Sequence, residues 1–181
     1  MTPDPVVTHL VAAALAILLL VGAWQKLRDQ VAFRTALEAY DIVPATSLTA
    51  VFAWLLPCGE ALAAVTLVID RTRTFGVALG AALLTVVTAA VVINLLRGRT
   101  DLGCGCGGIE DEQKLSWALV ARNGVLLGLL ALVGLEPAAR EFTALDYVTI
   151  AGGACALYGL YAMVNQLLAN QPRLVRLRSL A

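Results

Sequence analysis

The chain has 181 residues, 60% of them hydrophobic and only 14% charged, with thirteen basic and thirteen acidic side chains and a mean hydropathy of +0.82. A water-soluble domain carries about a quarter charged residues, so the composition excludes an ordinary soluble enzyme. The zero formal net charge gives no basic footprint for nucleic acid, and membrane lipid is the expected surrounding.

A bilayer's hydrocarbon core is about 30 Å thick and takes about 20 helical residues. Five apolar runs approach or exceed that length: 6–24, 48–69, 75–96, 116–135 and 145–168. None alternates with the period of two that a transmembrane β-barrel needs. The expected fold is therefore an all-α membrane protein, a bundle of about five transmembrane helices forming one domain over 1–181. The first run is expected to stay as a span, because a cleaved leader needs basic residues ahead of it and residues 1–5 carry only Asp4.

Lys and Arg set the expected orientation. Lys26, Arg28, Arg34, Arg97, Arg99, Lys114, Arg173, Arg176 and Arg178 fall on one side, against Arg71, Arg73 and Arg140 on the other. By the positive-inside rule the N-terminus lies outside and the C-terminus inside the plasma membrane.

In chain order, His9 comes first, near the outer end of the first span, with nothing to mark it as a ligand. In the second span Pro57 is expected to kink the helix and free a backbone carbonyl. Cys58 follows, at ~15 Å from the inner side, and Cys155 in the fifth span at ~20 Å. They read either as small apolar fillers or as a second redox pair that relays electrons. Glu60 sits near the middle of the second span, where an isolated carboxylate is costly. Its expected partner is Arg122, the one basic residue within a span. The pair reads as an ion lock fixing helix order, or as a proton site or quinone head-group pocket. Asn94 and Asn123 lie near the same side. Gly76 and Gly80, Gly124 and Gly128, and Gly152, Ala156 and Gly159 have the spacing of close helix packing, expected inside the bundle.

The chemical handle is the loop between the third and fourth spans, Asp101-Leu102-Gly103-Cys104-Gly105-Cys106-Gly107-Gly108. Cysteines at i and i+2 stand near the limit of disulfide reach, ~7 Å between Cα atoms on an extended chain. Closing the bond needs a tight turn, which the surrounding glycines permit. The small ring should be strained and readily reduced, and Arg97 and Arg99 would favour the nucleophilic thiolate. The rival uses are Cu(I) binding or an incidental turn. Two cysteines make only half a closed zinc site, so no zinc is expected.

Four stretches together resemble the MauE family of redox-associated membrane proteins, within the wider DoxX-like group. They are Ala23-Trp24-Gln25-Lys26-Leu27-Arg28-Asp29, Leu56-Pro57-Cys58-Gly59-Glu60, Asn94-Leu95-Leu96-Arg97-Gly98-Arg99 running into Cys104-Gly105-Cys106-Gly107-Gly108, and Ala121-Arg122-Asn123. Family members often place an aromatic residue where this chain has Gly107. The resemblance implies a four-helix DoxX-like core plus one helix, and a role in methylamine utilisation: maturation of a disulfide-rich periplasmic dehydrogenase beside a thioredoxin-like partner. It also implies that Cys104 and Cys106 are the redox pair, with Glu60, Arg122 and Asn123 shaping the adjoining membrane site. The charge count puts this dithiol inside, which suits a relay to an extracytoplasmic acceptor better than a direct oxidase. The alternatives are a quinone-binding subunit and a non-catalytic or metal-binding membrane subunit.

Overall fold

The computed structural model describes residues 3–42, 46–103, 114–138 and 140–178. Among them every regular element is helical. They are α1 (Pro5–Arg28), α2 (Gln30–Ala39), α3 (Thr46–Val68), a 3-10 turn (Asp70–Thr72), α4 (Arg73–Leu96), α5 (Trp117–Val133) and α6 (Ala144–Arg178).

The local chemistry explains where the helices begin and end. Asp4 caps α1 by accepting the Val6 N–H at 2.8 Å, with Pro5 at the first helical position. Asp29 closes α1 through its own N–H to the Gln25 carbonyl, and its carboxylate caps α2 at the Ala32 N–H, 2.9 Å away. One residue thus stops one helix and starts the next. At the end of α4, Gly98 takes φ +72°, and the N–H groups of Gly98 and Arg99 return to the carbonyls of Leu95 and Asn94. This is the Schellman pattern, in which a left-handed residue past the helix end favours glycine.

The bundle is built around α1, which packs against α3, α5 and α6, while α4 bridges α3 and α5. Its apolar centre joins Val11, Ala12 and Leu15 of α1 to Leu67 of α3 and to Leu126, Leu130 and Val133 of α5. Among the described residues four helices are long and apolar enough to cross a membrane: Pro5–Arg28, Leu48–Val68, Asp70–Leu96 and Ala144–Leu168. The fourth expected span, α5, has 17 residues and reaches ~25 Å, the short end of the spanning range. All three tryptophans, Trp24, Trp54 and Trp117, are exposed on helix segments at the end of the bundle that carries α2. Amphipathic rings at this level mark a membrane–water boundary.

Two features depart from the sequence reading. One is α2, a ten-residue helix with a mixed surface that lies across that end and packs on α3. The other concerns the small-residue motifs. Gly76 does serve close packing, since a Cβ there would stand 2.6 Å from the Leu67 nitrogen, and Gly80 lies against Leu130. Gly124, Gly128, Gly152 and Gly159 instead have open space where a side chain would be. The expectation that all three motifs pack within the bundle holds for the first and fails for these four glycines.

Candidate functional site

Cys104 and Cys106 lie outside the described residues; the two chain segments that lead to them do not. The Leu115 N–H donates to the Leu102 carbonyl at 3.1 Å, and Gly103 pairs with Lys114 in an antiparallel bridge. The Lys114 ammonium sits 2.7 Å from Asp101 Oδ1 and holds that carboxyl below the usual carboxylate range, chiefly through the hydrogen bond. Leu115 is buried against Tyr40, Val91 and Leu119. The dithiol segment therefore leaves a tied stem seated beside the end of α2.

Arg97 and Arg99 already have work beside that stem. Arg97 Nη1 donates to the Asp41 carbonyl at 3.1 Å, and Arg99 donates to Ala39 O at 2.9 Å and Tyr40 O at 3.4 Å. These are the last carbonyls of α2, where a cation is favoured by both hydrogen bonding and the helix dipole. The other end of α2 is fastened too. Pro57 has no N–H, so the carbonyl four residues earlier, Ala53 O, loses its helical donor. Gln30 Nε2 of α2 supplies the bond at 3.1 Å. Phe33 packs beside it on Ala53 and Leu56. The freed carbonyl was expected; that a glutamine from another helix takes it was not.

Glu60 is buried, and its partner corrects the sequence reading. Lys26 Nζ lies 2.8 and 2.7 Å from its two carboxylate oxygens, in place of the expected Arg122. Helical side chains lean toward their own N-terminus. Lys26, near the C-terminal end of α1, thus leans inward, and Glu60, in mid-α3, leans out toward it. Gly22 leaves room for both groups, and the ammonium sits 5.8 Å from the centre of the Phe33 ring.

Arg122 belongs to a second network. Its Nη1 donates to Asn165 Oδ1 at 2.6 Å, and its Nε and Nη2 donate to Asn123 Oδ1 at 3.3 and 3.1 Å. Its guanidinium stands 5.6 Å from the Tyr161 ring centre. Buried Asn123 donates in turn to Thr88 Oγ1 at 3.0 Å, and that hydroxyl donates to Leu84 O. Arg122 thus ties α4, α5 and α6 together. Asn94, fully buried, donates to Ala90 O and has Arg99 3.5 Å from its oxygen. Glu60 and Arg122 are therefore not each other's partners, because each is engaged elsewhere.

Cys58 and Cys155 are free thiols, both exposed. They sit on α3 and α6, each of which packs on α1, so the structure does not join them as a relay pair. Among the described residues no group of three or more His, Cys, Asp or Glu side chains could hold a metal. Sequence reasoning passed over Lys26, Gln30, Thr88, Tyr161 and Asn165. The signal for Lys26 was its position within reach of the second span, obscured by counting it as a loop charge.

With this geometry in place, the comparisons are informative. The family model "Methylamine utilisation protein MauE" matches residues 4–136, the segment that holds α1 to α5. The chain belongs to the MauE family. It is 37% identical over 156 residues to the methylamine utilization protein MauE of Paracoccus denitrificans, covering 85% of this chain and 83% of the relative. The Methylorubrum extorquens MauE is 38% identical over 143 residues, covering 77% and 76%. The Methylophilus methylotrophus protein of the same name is 28% identical over 173 residues, covering 95% and 90%. No solved structure matches the chain.

Proposed function

We propose that this MauE-family protein is a plasma-membrane thiol–disulfide oxidoreductase or electron relay acting in methylamine utilisation, with Cys104 and Cys106 as its reacting pair and a thioredoxin-like protein as its partner. The observation that supports the reading is the anchoring of the two chain segments that flank the dithiol. Gly103 and Lys114 are bridged, Asp101 and Lys114 are paired, and Leu115 is buried against Tyr40. A tied stem at one end of the bundle supports exchange with a docking partner there, and the charge count puts that end inside and the N-terminus outside.

In the exchange, the thiolate of one cysteine attacks a sulfur of the partner's disulfide and expels the partner's other sulfur as a thiolate. The second cysteine then attacks the mixed disulfide, closes the Cys104–Cys106 bond and releases the reduced partner. Two electrons pass from this chain to the partner; the reverse sequence returns them, and the relative potentials set the direction. Glu60, Arg122, Asn123 and Asn94 support the helices beneath the loop in this reading, and Cys58 and Cys155 take no part.

Single substitutions test it. Cys104→Ser should accumulate a mixed disulfide to a thioredoxin-fold protein through Cys106, or Cys106→Ser through Cys104, and dithiothreitol should release it. Absence of a trapped partner in both variants would overturn the reading. Labelling both cysteines in intact cells with a membrane-impermeant maleimide tests the orientation, which predicts protection until the membrane is opened.

A further inference from the structure

The end of the bundle opposite the dithiol carries a cluster that the proposed exchange leaves unused. His9 of α1 is the only histidine in the chain. Its Nδ1 stands 2.7 Å from the Pro5 carbonyl oxygen. A carbonyl only accepts, so Nδ1 must carry a proton. The nitrogen left to titrate is Nε2, and it has two neighbours of opposite kind. Arg73 Nη2 lies 3.0 Å away and can only donate; Asp70 Oδ1 lies 3.1 Å away and can only accept. One protonation state cannot satisfy both.

The surroundings sharpen the conflict. Arg73, the first residue of α4, is buried, and its Nε has no hydrogen-bond partner among the described residues. Its Nη2 also donates to Asp70 Oδ1, so both cationic groups converge on one oxygen of a carboxylate that is 73% exposed. Phe142 packs edge-on against the imidazole, ring centres 4.9 Å apart. The other charged groups at this end are Asp4 at the start of α1, Arg71 in the 3-10 turn, Glu136, Arg140 and Glu141 between α5 and α6, and Asp146 on α6. Of these, Arg140 is paired with Asp4 and Asp146.

We propose that His9 is a proton-binding site with two alternative partners. The neutral imidazole accepts from Arg73 and links α1 to α4; the imidazolium donates to Asp70 and links α1 to the turn between α3 and α4. Imidazoles titrate in the physiological range, where few other side chains change charge. The site lies away from the cysteines, so it stands or falls independently of the thiol chemistry.

The lone histidine makes the test direct. Nitrogen-15 NMR of the tag-free full chain in micelles should find the Nδ1–H tautomer at alkaline pH and protonation of Nε2 on acidification. Asp70→Asn removes the anion that accepts from the imidazolium and Arg73→Gln removes the opposing cation, so the two variants should move protonation of Nε2 in opposite senses. An Nε2–H tautomer at alkaline pH, no titration between about pH 5 and 8, or shifts of the same sign would overturn the proposal. Asp70 is exposed, so if Arg73→Gln does not fold, Asp70→Asn decides the matter by the direction of its shift.

Discussion

Replacing Lys26 with methionine should cost the fold about 3–5 kcal/mol, because it strands a buried carboxylate. The figure follows from the geometry. Both Glu60 oxygens lie within 2.8 Å of the ammonium, and the two side chains are 10% and 12% exposed. At 2.7 Å and an effective dielectric of about 20, the attraction is ~6 kcal/mol. Desolvating each ion costs several kcal/mol, so the intact pair comes close to break-even. Removing one partner does not, since the survivor keeps its desolvation cost and loses its compensation.

The two partners should differ. Lys26 stands two residues from the end of α1, so in Glu60→Gln its flexible stem can carry the charge to the interface. That variant should lose about 1–2 kcal/mol, the cost of a weakened hydrogen bond. Glu60 in mid-α3 has no such exit. Lys26→Met/Glu60→Gln should therefore be more stable than Lys26→Met alone, although it carries one more substitution. Equilibrium unfolding in mixed micelles, titrated with sodium dodecyl sulfate and followed by far-ultraviolet circular dichroism, gives the four free energies of the cycle. A double variant that loses the sum of the two singles would refute the reasoning, because residues that do not interact are additive.

Two further perturbations probe the same frame. Gln30→Leu should cost about 1 kcal/mol in the native chain by leaving the Ala53 carbonyl unpaired, and close to nothing in Pro57→Ala, where the restored N–H bonds that carbonyl within α3; equal losses in both backgrounds would sever the proposed link. Gly76→Ala forces a methyl group to 2.6 Å from the Leu67 backbone nitrogen and should cost 1–3 kcal/mol or more, roughly the range for overpacking. Gly128→Ala meets open space and should be neutral or stabilising by up to about 1 kcal/mol through helix propensity, both read by the same unfolding titration.

The spans were legible because lipid leaves the backbone one economical solution, and long Ala, Val, Leu and Ile runs announce it. The observed α3 and α4 begin and end within about two residues of the expected runs. What escaped has a physical reason in each case. With ten residues and a mixed surface, α2 matches neither a span nor an amphipathic stripe long enough to stand out. The partner of Glu60 was misjudged because the first run was ended at residue 24, whereas α1 continues to Arg28. That extension turns Lys26 from a loop charge into a helical residue aimed inward. Arg122 was assigned as the one basic residue within a span, and that says nothing about sideways distance. Its partners Asn123, Asn165 and Tyr161 lie on its own helix and on α6.

These assignments change what the polar residues near the dithiol mean. Gln30 binds the carbonyl that Pro57 frees, Phe33 covers Lys26 as it holds Glu60, and Arg97 and Arg99 hold the opposite end of α2. Arg97 and Arg99, which in sequence read as favouring the thiolate, are thus committed to fastening one short helix at that end of the bundle, while Arg122 and Asn123 tie α4, α5 and α6. The stem of the dithiol loop rests on that helix through Leu115 and Tyr40. A partner pressing on the loop therefore meets a brace tied to α1, α3 and α4. For the proposed exchange a braced stem matters, because attack on a disulfide depends on access and on which sulfur is presented. In the exchange proposed above, the chemistry would belong to Cys104 and Cys106, and the charged residues around the stem would contribute position.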